Sequence, residues 1–217
     1  MQTPNRTDRN IAHCLRGAAC ALLLGVSGMA LAQDPPDKLV KSVADEVLNA
    51  LRNDPELRAG SLTKMTQLIE EKVAPRFDFE RMTRLAVGRN WRQATPEQRK
   101  TLIEQFRSML VRSYSAAYSA YRNIVVEVKP LRMQPTDEDV QVRSEIKLPG
   151  GAPPVTVDYS MVKSDSDWKV YDVTVDGVSL VTTYRSTFAE EIRQNGIDGL
   201  IKALQQKNTP PPPGAKK

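Results

Sequence analysis

The hydrophobic period of this chain changes twice, and that constrains its fold more than any other feature. From Asp37 to about Arg122 apolar residues recur at helical spacing, from Ile124 to about Val175 they alternate with polar residues at strand spacing, and helical spacing then returns. Runs of helix and strand kept apart in this way predict an α+β fold, with helices packed on one face of an antiparallel sheet.

The helical boundaries follow from turn chemistry. Val40, Val43, Val47 and Leu51 share one face of a first helix that stops near Asn53-Asp54-Pro55. A second is expected from Ser61 as N-cap through Met65, Leu68, Ile69 and Val73 to Pro75, and a third from Asp78 through Met82 and Leu85 to Gly88. Thr95-Pro96-Glu97-Gln98 is a strong start signal, with a threonine cap, a proline at the first helical position and a glutamine three residues after the cap. The long helix it opens carries Leu102, Phe106, Met109, Leu110, Tyr114 and Tyr121 on one stripe. About four strands are expected: one at Ile124, Val126 and Val128, one from Val140 to Leu148, one from Val155 to Met161 after the Pro149-Gly150-Gly151 turn, and one from Trp168 to Val175. Gly177 to Arg193 predicts a closing helix ended by Asn195-Gly196, and Asp198 to Gln206 a short last one.

Residues 1–32 read as a cleavable signal peptide. Arg6, Arg9 and Arg16 precede an apolar run from Ala18 to Met29, and Ala30-Leu31-Ala32 is a small-x-small cleavage pattern. The apolar run is too short for the roughly 20 residues of a spanning helix, so the expected product is a soluble exported protein beginning at Gln33. Lipoprotein processing does not suit the segment, because Cys14 and Cys20 precede or begin the apolar run rather than follow it. The mature chain is expected to form one domain over residues 33–207, with a helical part over about 37–122, a sheet over about 124–176 and C-terminal helices over about 177–206. Residues 208–217, with four consecutive prolines, are expected to be a disordered tail.

Both cysteines and the single histidine, His13, lie in the leader, so the mature chain has neither. Imidazole-based triads, thiolate chemistry and the commonest zinc ligands are therefore excluded, and no metal or cofactor is expected. Two aspartate–tyrosine neighbours, Asp158 with Tyr159 and Tyr171 with Asp172, have the residue types of a cavity isomerase site, but alternation along a strand sends neighbours to opposite faces. A solvated face or a turn-capping role suits them better.

Without its leader the chain holds 28 Lys and Arg against 25 Asp and Glu, an excess too small and too dispersed for a nucleic-acid footprint. Nine basic residues between Arg76 and Arg112 suit a solvated helix face or a surface for lipid phosphate or an acidic partner. On the long helix, Ala116, Ala117 and Ala120 between Tyr114, Tyr118 and Tyr121 leave room that larger side chains would fill, which suits an internal cavity.

Two segments carry a resemblance to a known family. The run Phe77 to Trp91 with Arg92-Gln93-Ala94-Thr95-Pro96-Glu97-Gln98 and Phe106, and the run Trp168 to Ser179 continuing through Tyr184 and Phe188 to Asn195-Gly196-Ile197, resemble the MlaC family of toluene-tolerance auxiliary proteins. The resemblance implies a nuclear-transport-factor-2-like sheet with helices around an apolar cavity. It implies a periplasmic shuttle for glycerophospholipid between an outer-membrane lipoprotein complex and an inner-membrane ABC transporter, and no catalytic residues. Argued by face, the lipid-binding wall is expected from Leu85, Met109, Leu110, Tyr114 and Tyr118 on the helices, Val128, Val142, Ile146, Val157 and Tyr159 in the sheet, and Val181, Tyr184 and Phe188 on the closing helix. The residues alone leave two other readings open: a protein-binding module such as a lipoprotein chaperone, and a cavity-type isomerase or hydrolase.

Overall fold

The computed structural model describes residues 34–118, 124–165 and 167–209, with the backbone only for 117 and 118. The leader, the tail beyond Thr209 and Tyr121 lie outside the described residues. Among the described residues six α-helices and five strands follow the order the two hydrophobic periods predict.

Helix α1 (Pro36–Asn53) begins with proline at its first position, and Asp54, at its end, caps the short α2 (Pro55–Arg58) by accepting from the Glu56 and Leu57 amides at 2.8 and 3.0 Å. The Ser61 hydroxyl caps α3 (Leu62–Leu68). The sequence predicts one helix from here to Val73. The chain instead widens into a π-helical turn at Ile69–Val73 and tightens into a 3₁₀ turn at Ala74–Arg76. Pro75 explains the departure: it has no amide to donate, and its ring displaces the carbonyl four residues earlier.

Asp78 accepts from the Arg81 amide at 2.8 Å and opens α4 (Phe79–Val87), which Gly88 ends with φ of +62° before a 3₁₀ segment at Gly88–Gln93. Helix α5 (Pro96–Tyr118) starts on a reciprocal cap, in which the Thr95 amide donates to Gln98 Oε1 at 3.0 Å and the Gln98 amide donates to Thr95 Oγ1 at 3.2 Å.

The strands β1 (Val125–Val128), β2 (Asp139–Lys147), β3 (Val155–Lys163), β4 (Trp168–Val175) and β5 (Val178–Ser179) form one open antiparallel sheet in sequence order. The fifth strand occupies residues expected to begin the closing helix. Asp176 and Gly177 both have positive φ, the geometry of a two-residue hairpin loop, and pair Val175 with Val178 before α6 (Leu180–Asn208) begins. Gly196, at φ 71° and ψ −175°, breaks α6 at the expected place.

One irregularity sets the phase of the sheet. Ser160 pairs with Asp172 and Met161 with Val170, so Tyr171 is an extra residue in β4. The bulge brings Val173 and Val175 onto the face already occupied by Trp168 and Val170, opposite Tyr159 and Val157 of β3.

Buried apolar residues form three clusters. Met82, Leu102, Phe106, Met109, Leu110, Val181 and Phe188 fill the space among α4, α5 and α6. Val47, Leu48, Leu51, Met65, Ile69 and Val111 join α1 to α3 and α5. Leu39, Val40, Val142, Met161, Trp168 and Val170 join the start of α1 to the inner face of the sheet. Among the described residues no helix is long and apolar enough to cross a membrane.

Candidate functional site

Where the three clusters face one another they do not close. Between them lies a cavity of about 430 Å³, with walls from all three: Met82, Leu110 and Leu180 from the first; Val47, Leu48, Ile69, Val73 and Ile146 from the second; Leu39, Val40, Val43, Tyr159 and Met161 from the third. The inner face of the sheet contributes Val155, Val157, Tyr159 and Met161 of β3 and Val170, Val173 and Val175 of β4. At roughly 3.3 Å per residue, the stretch of β3 from Val155 to Met161 makes the cavity about 20 Å long.

The wall is apolar with one exception. Among the described residues Arg76 is the only charged one that lines it. Its guanidinium pairs through Nη1 with Asp167 Oδ2, and its side chain remains 41% exposed. Tyr114 and Val175, each 40% exposed, mark the other end of the cavity, beside the exposed Val178 of the hairpin.

Five of the residues expected in the wall border this space: Leu110, Tyr114, Ile146, Val157 and Tyr159. Met109, Val181 and Phe188 instead pack inside the first cluster, with Leu85 and Tyr184 against it. There the Phe106 ring meets Tyr184 and Phe188 edge-on, with centroids 5.0 and 5.1 Å apart, and leaves no space. Val142 is fully buried in the third cluster and Val128 packs against it, so neither lines the hollow. The Tyr118 side chain lies outside the described residues.

The wall residues that the sequence reading missed include those of α1 (Leu39, Val40, Val43, Ala44, Val47 and Leu48), of the π-helical turn (Ile69 and Val73), Phe77 and Phe79, and Val155, Met161, Val170, Val173 and Val175 of the sheet. The apolar face of α1 is legible, but only the fold shows that part of it faces empty space.

Two of the polar groups weighed for catalysis, Asp172 and Tyr171, have structural partners. Asp172 accepts from the Ser179 hydroxyl at 2.5 Å, the Val173 amide at 2.8 Å and the Val181 amide at 3.0 Å, tying β4 to the start of α6. The Tyr171 hydroxyl donates to Asp139 at 2.8 Å while Arg81 lies 3.7 Å over its ring and also reaches Asp139. Burial, and secondarily Asp139, push the Tyr171 phenol up. Most of the basic segment is engaged in the same manner, as Arg107 pairs with Glu70 and Arg99 donates to the Trp91 carbonyl at 3.1 Å. Only Arg76 of that segment reaches the cavity.

A family model described as MlaC protein matches residues 41–206. The intermembrane phospholipid transport system binding protein MlaC of Haemophilus influenzae is 21% identical over 188 residues, 86% of this chain and 88% of its own length. Toluene tolerance protein ttg2D of Pseudomonas putida is 25% identical over 186 residues, 85% of each. Among solved structures, the phospholipid-binding protein from Ralstonia solanacearum in complex with a phospholipid is 42% identical, with a TM-score of 0.72, over 79% of this chain and 96% of that one.

Proposed function

This chain belongs to the MlaC family, and from that premise we propose that it is a periplasmic carrier that binds glycerophospholipid with its acyl chains in the cavity beneath β3 and β4. The observation that carries this reading is a hollow about 20 Å long whose wall is apolar but for Arg76. Each leaflet supplies about half of the roughly 30 Å hydrocarbon core of a bilayer, so an acyl chain needs about 15 Å. The length fits.

The physical need is large. At about 0.8 kcal/mol per methylene, two ordinary tails in water cost on the order of 20 kcal/mol, so a phospholipid cannot cross an aqueous gap unshielded. A pocket lined by valine, leucine and tyrosine removes most of that cost and leaves the headgroup wet. The relatives named as binding or transporting phospholipid support this cargo.

On this reading residues 1–32 are removed on export, and the carrier shuttles lipid between an outer-membrane lipoprotein complex and an inner-membrane ABC transporter. It acts by sheltering its cargo and not by catalysis. Denaturing extraction and mass spectrometry of the gently purified protein test the cargo, with stoichiometric glycerophospholipid expected. A preparation that never holds lipid, and that fails to withdraw labelled phospholipid from donor vesicles, would sink the proposal.

A further inference from the structure

The two ends of the cavity differ in chemistry. At the end formed by Met161 and Val170 sits Arg76, the one charge on the wall among the described residues. Its Nη1 meets Asp167 Oδ2, while the other oxygen of that carboxylate is held by the Trp168 amide at 2.8 Å. The remaining N–H groups of the guanidinium have no acceptor among the described residues.

At the other end no charged residue lines the wall among the described residues. Tyr114 and Val175 open it to solvent, and its hairpin carries Asp176, held by the Thr156 amide at 2.9 Å. Arg52 reaches the Ile124 carbonyl at this end at 3.4 Å, from behind the wall rather than within it.

Resting on the carrier reading above, we propose that Arg76 binds the phosphodiester of the cargo, so that the lipid lies with its headgroup at the Met161 and Val170 end and its tails directed toward Val155 and Val175. A guanidinium already anchored on one edge by Asp167 presents its other donors in a fixed fork, which matches two phosphate oxygens better than an ammonium does. The phosphodiester meets the edge of the guanidinium that Asp167 leaves open. The partial exposure of Arg76 supplies water to the rest of the headgroup, and the apolar wall beyond it accepts only hydrocarbon.

The test needs no mutation at its first step. Phosphatidylglycerol with a nitroxide on its headgroup, loaded into the ¹⁵N-labelled protein, broadens the amide resonances of Arg76, Phe77 and Val170 and spares Val155 and Val175. A nitroxide near the end of an acyl chain gives the opposite pattern. Interchange of the two patterns overturns the proposal while leaving the carrier reading intact, and failure of either lipid to bind overturns both. Arg76→Gln, which removes the charge, is expected to lower phosphatidylglycerol retention about tenfold and to shift the ³¹P resonance of whatever lipid remains, with Arg76→Lys recovering part of the loss. Unchanged retention and an unchanged ³¹P resonance in Arg76→Gln refute the contact. Inorganic phosphate added to lipid-free protein leaves the Arg76 resonances in place; if it moves them and phospholipid does not, the site takes free anions and the proposal fails.

Discussion

The cluster among α4, α5 and α6 and the cavity beneath the sheet are built from overlapping residue types, yet one is full and the other hollow. In the helical cluster Phe106, Tyr184 and Phe188 interlock edge to face, and Met82, Leu102 and Met109 occupy what remains. Around the cavity the side chains are mostly short and branched, with Val40, Val43 and Val47 on α1 facing Val157, Val170 and Val173 on the sheet. Stiff short side chains cannot bend inward to meet one another. Filling therefore depends less on hydrophobicity than on reach, and the hollow marks where two valine surfaces are held apart by the packed clusters at their margins.

The largest effect that would break this contrast is at Phe106, which is fully buried. Phe106→Ala removes the ring on which Tyr184 and Phe188 rest and is expected to cost about 3–5 kcal/mol, read as a shift in the denaturation midpoint, with lipid content per folded molecule little changed. Next is Val142, which shares the inner sheet face with wall residues but is sealed in the third cluster. Val142→Trp should overpack that site and cost about 1–3 kcal/mol. A stability loss well below that range would mean that the hollow extends to Val142. Val43→Phe sharpens the comparison from the other side: it extends a ring into empty space, so thermal stability should change by less than about 1 kcal/mol while bound phospholipid falls severalfold by mass spectrometry. Should Val43→Phe destabilise as strongly as Val142→Trp, the space is packed and the contrast is wrong.

The smallest effect is expected at the surface of β1. Lys147 and, next, Lys129 hold the Glu127 carboxyl down at about 2. A carboxyl whose folded pKa is depressed contributes stability above its ordinary range and loses it as pH falls through the folded value. Wild type should therefore lose this increment between about pH 4.5 and 2, and Glu127→Gln should flatten the pH dependence of the melting temperature in that window. The group is exposed, so the change is slight.

Much of this architecture was legible in local chemistry. Thr95 and Gln98 name the start of α5, Asp78 the start of α4 and Gly196 the break in α6, because each effect is confined to one turn of chain. The hairpin at Asp176-Gly177 was not read, because the apolar residues after it match helical spacing and drew Gly177 into the closing helix. The bulge at Tyr171 leaves a trace, since Val170 and Val173 are three apart where strict alternation calls for two or four.

The cavity was legible only in part. Leu110, Tyr114 and Ile146 lie on the correct faces, but whether such a face meets a neighbour or a void depends on distances between elements that no single segment encodes. Tyr184 and Phe188 were misplaced for that reason: large aromatic residues on an inward face suit a lipid wall and a filled core equally, and α5 stands close enough to fill it.

The outer face of β1 and β2 bears on how such a carrier survives in concentrated solution. Lys147, Glu127, Lys129 and Glu145 alternate in sign along a continuous chain of contacts at the free margin of the sheet. A second strand approaching that margin would have to strip water from all four ions before gaining a hydrogen bond. The protein can thus collide repeatedly with its own copies without zipping to them along that margin.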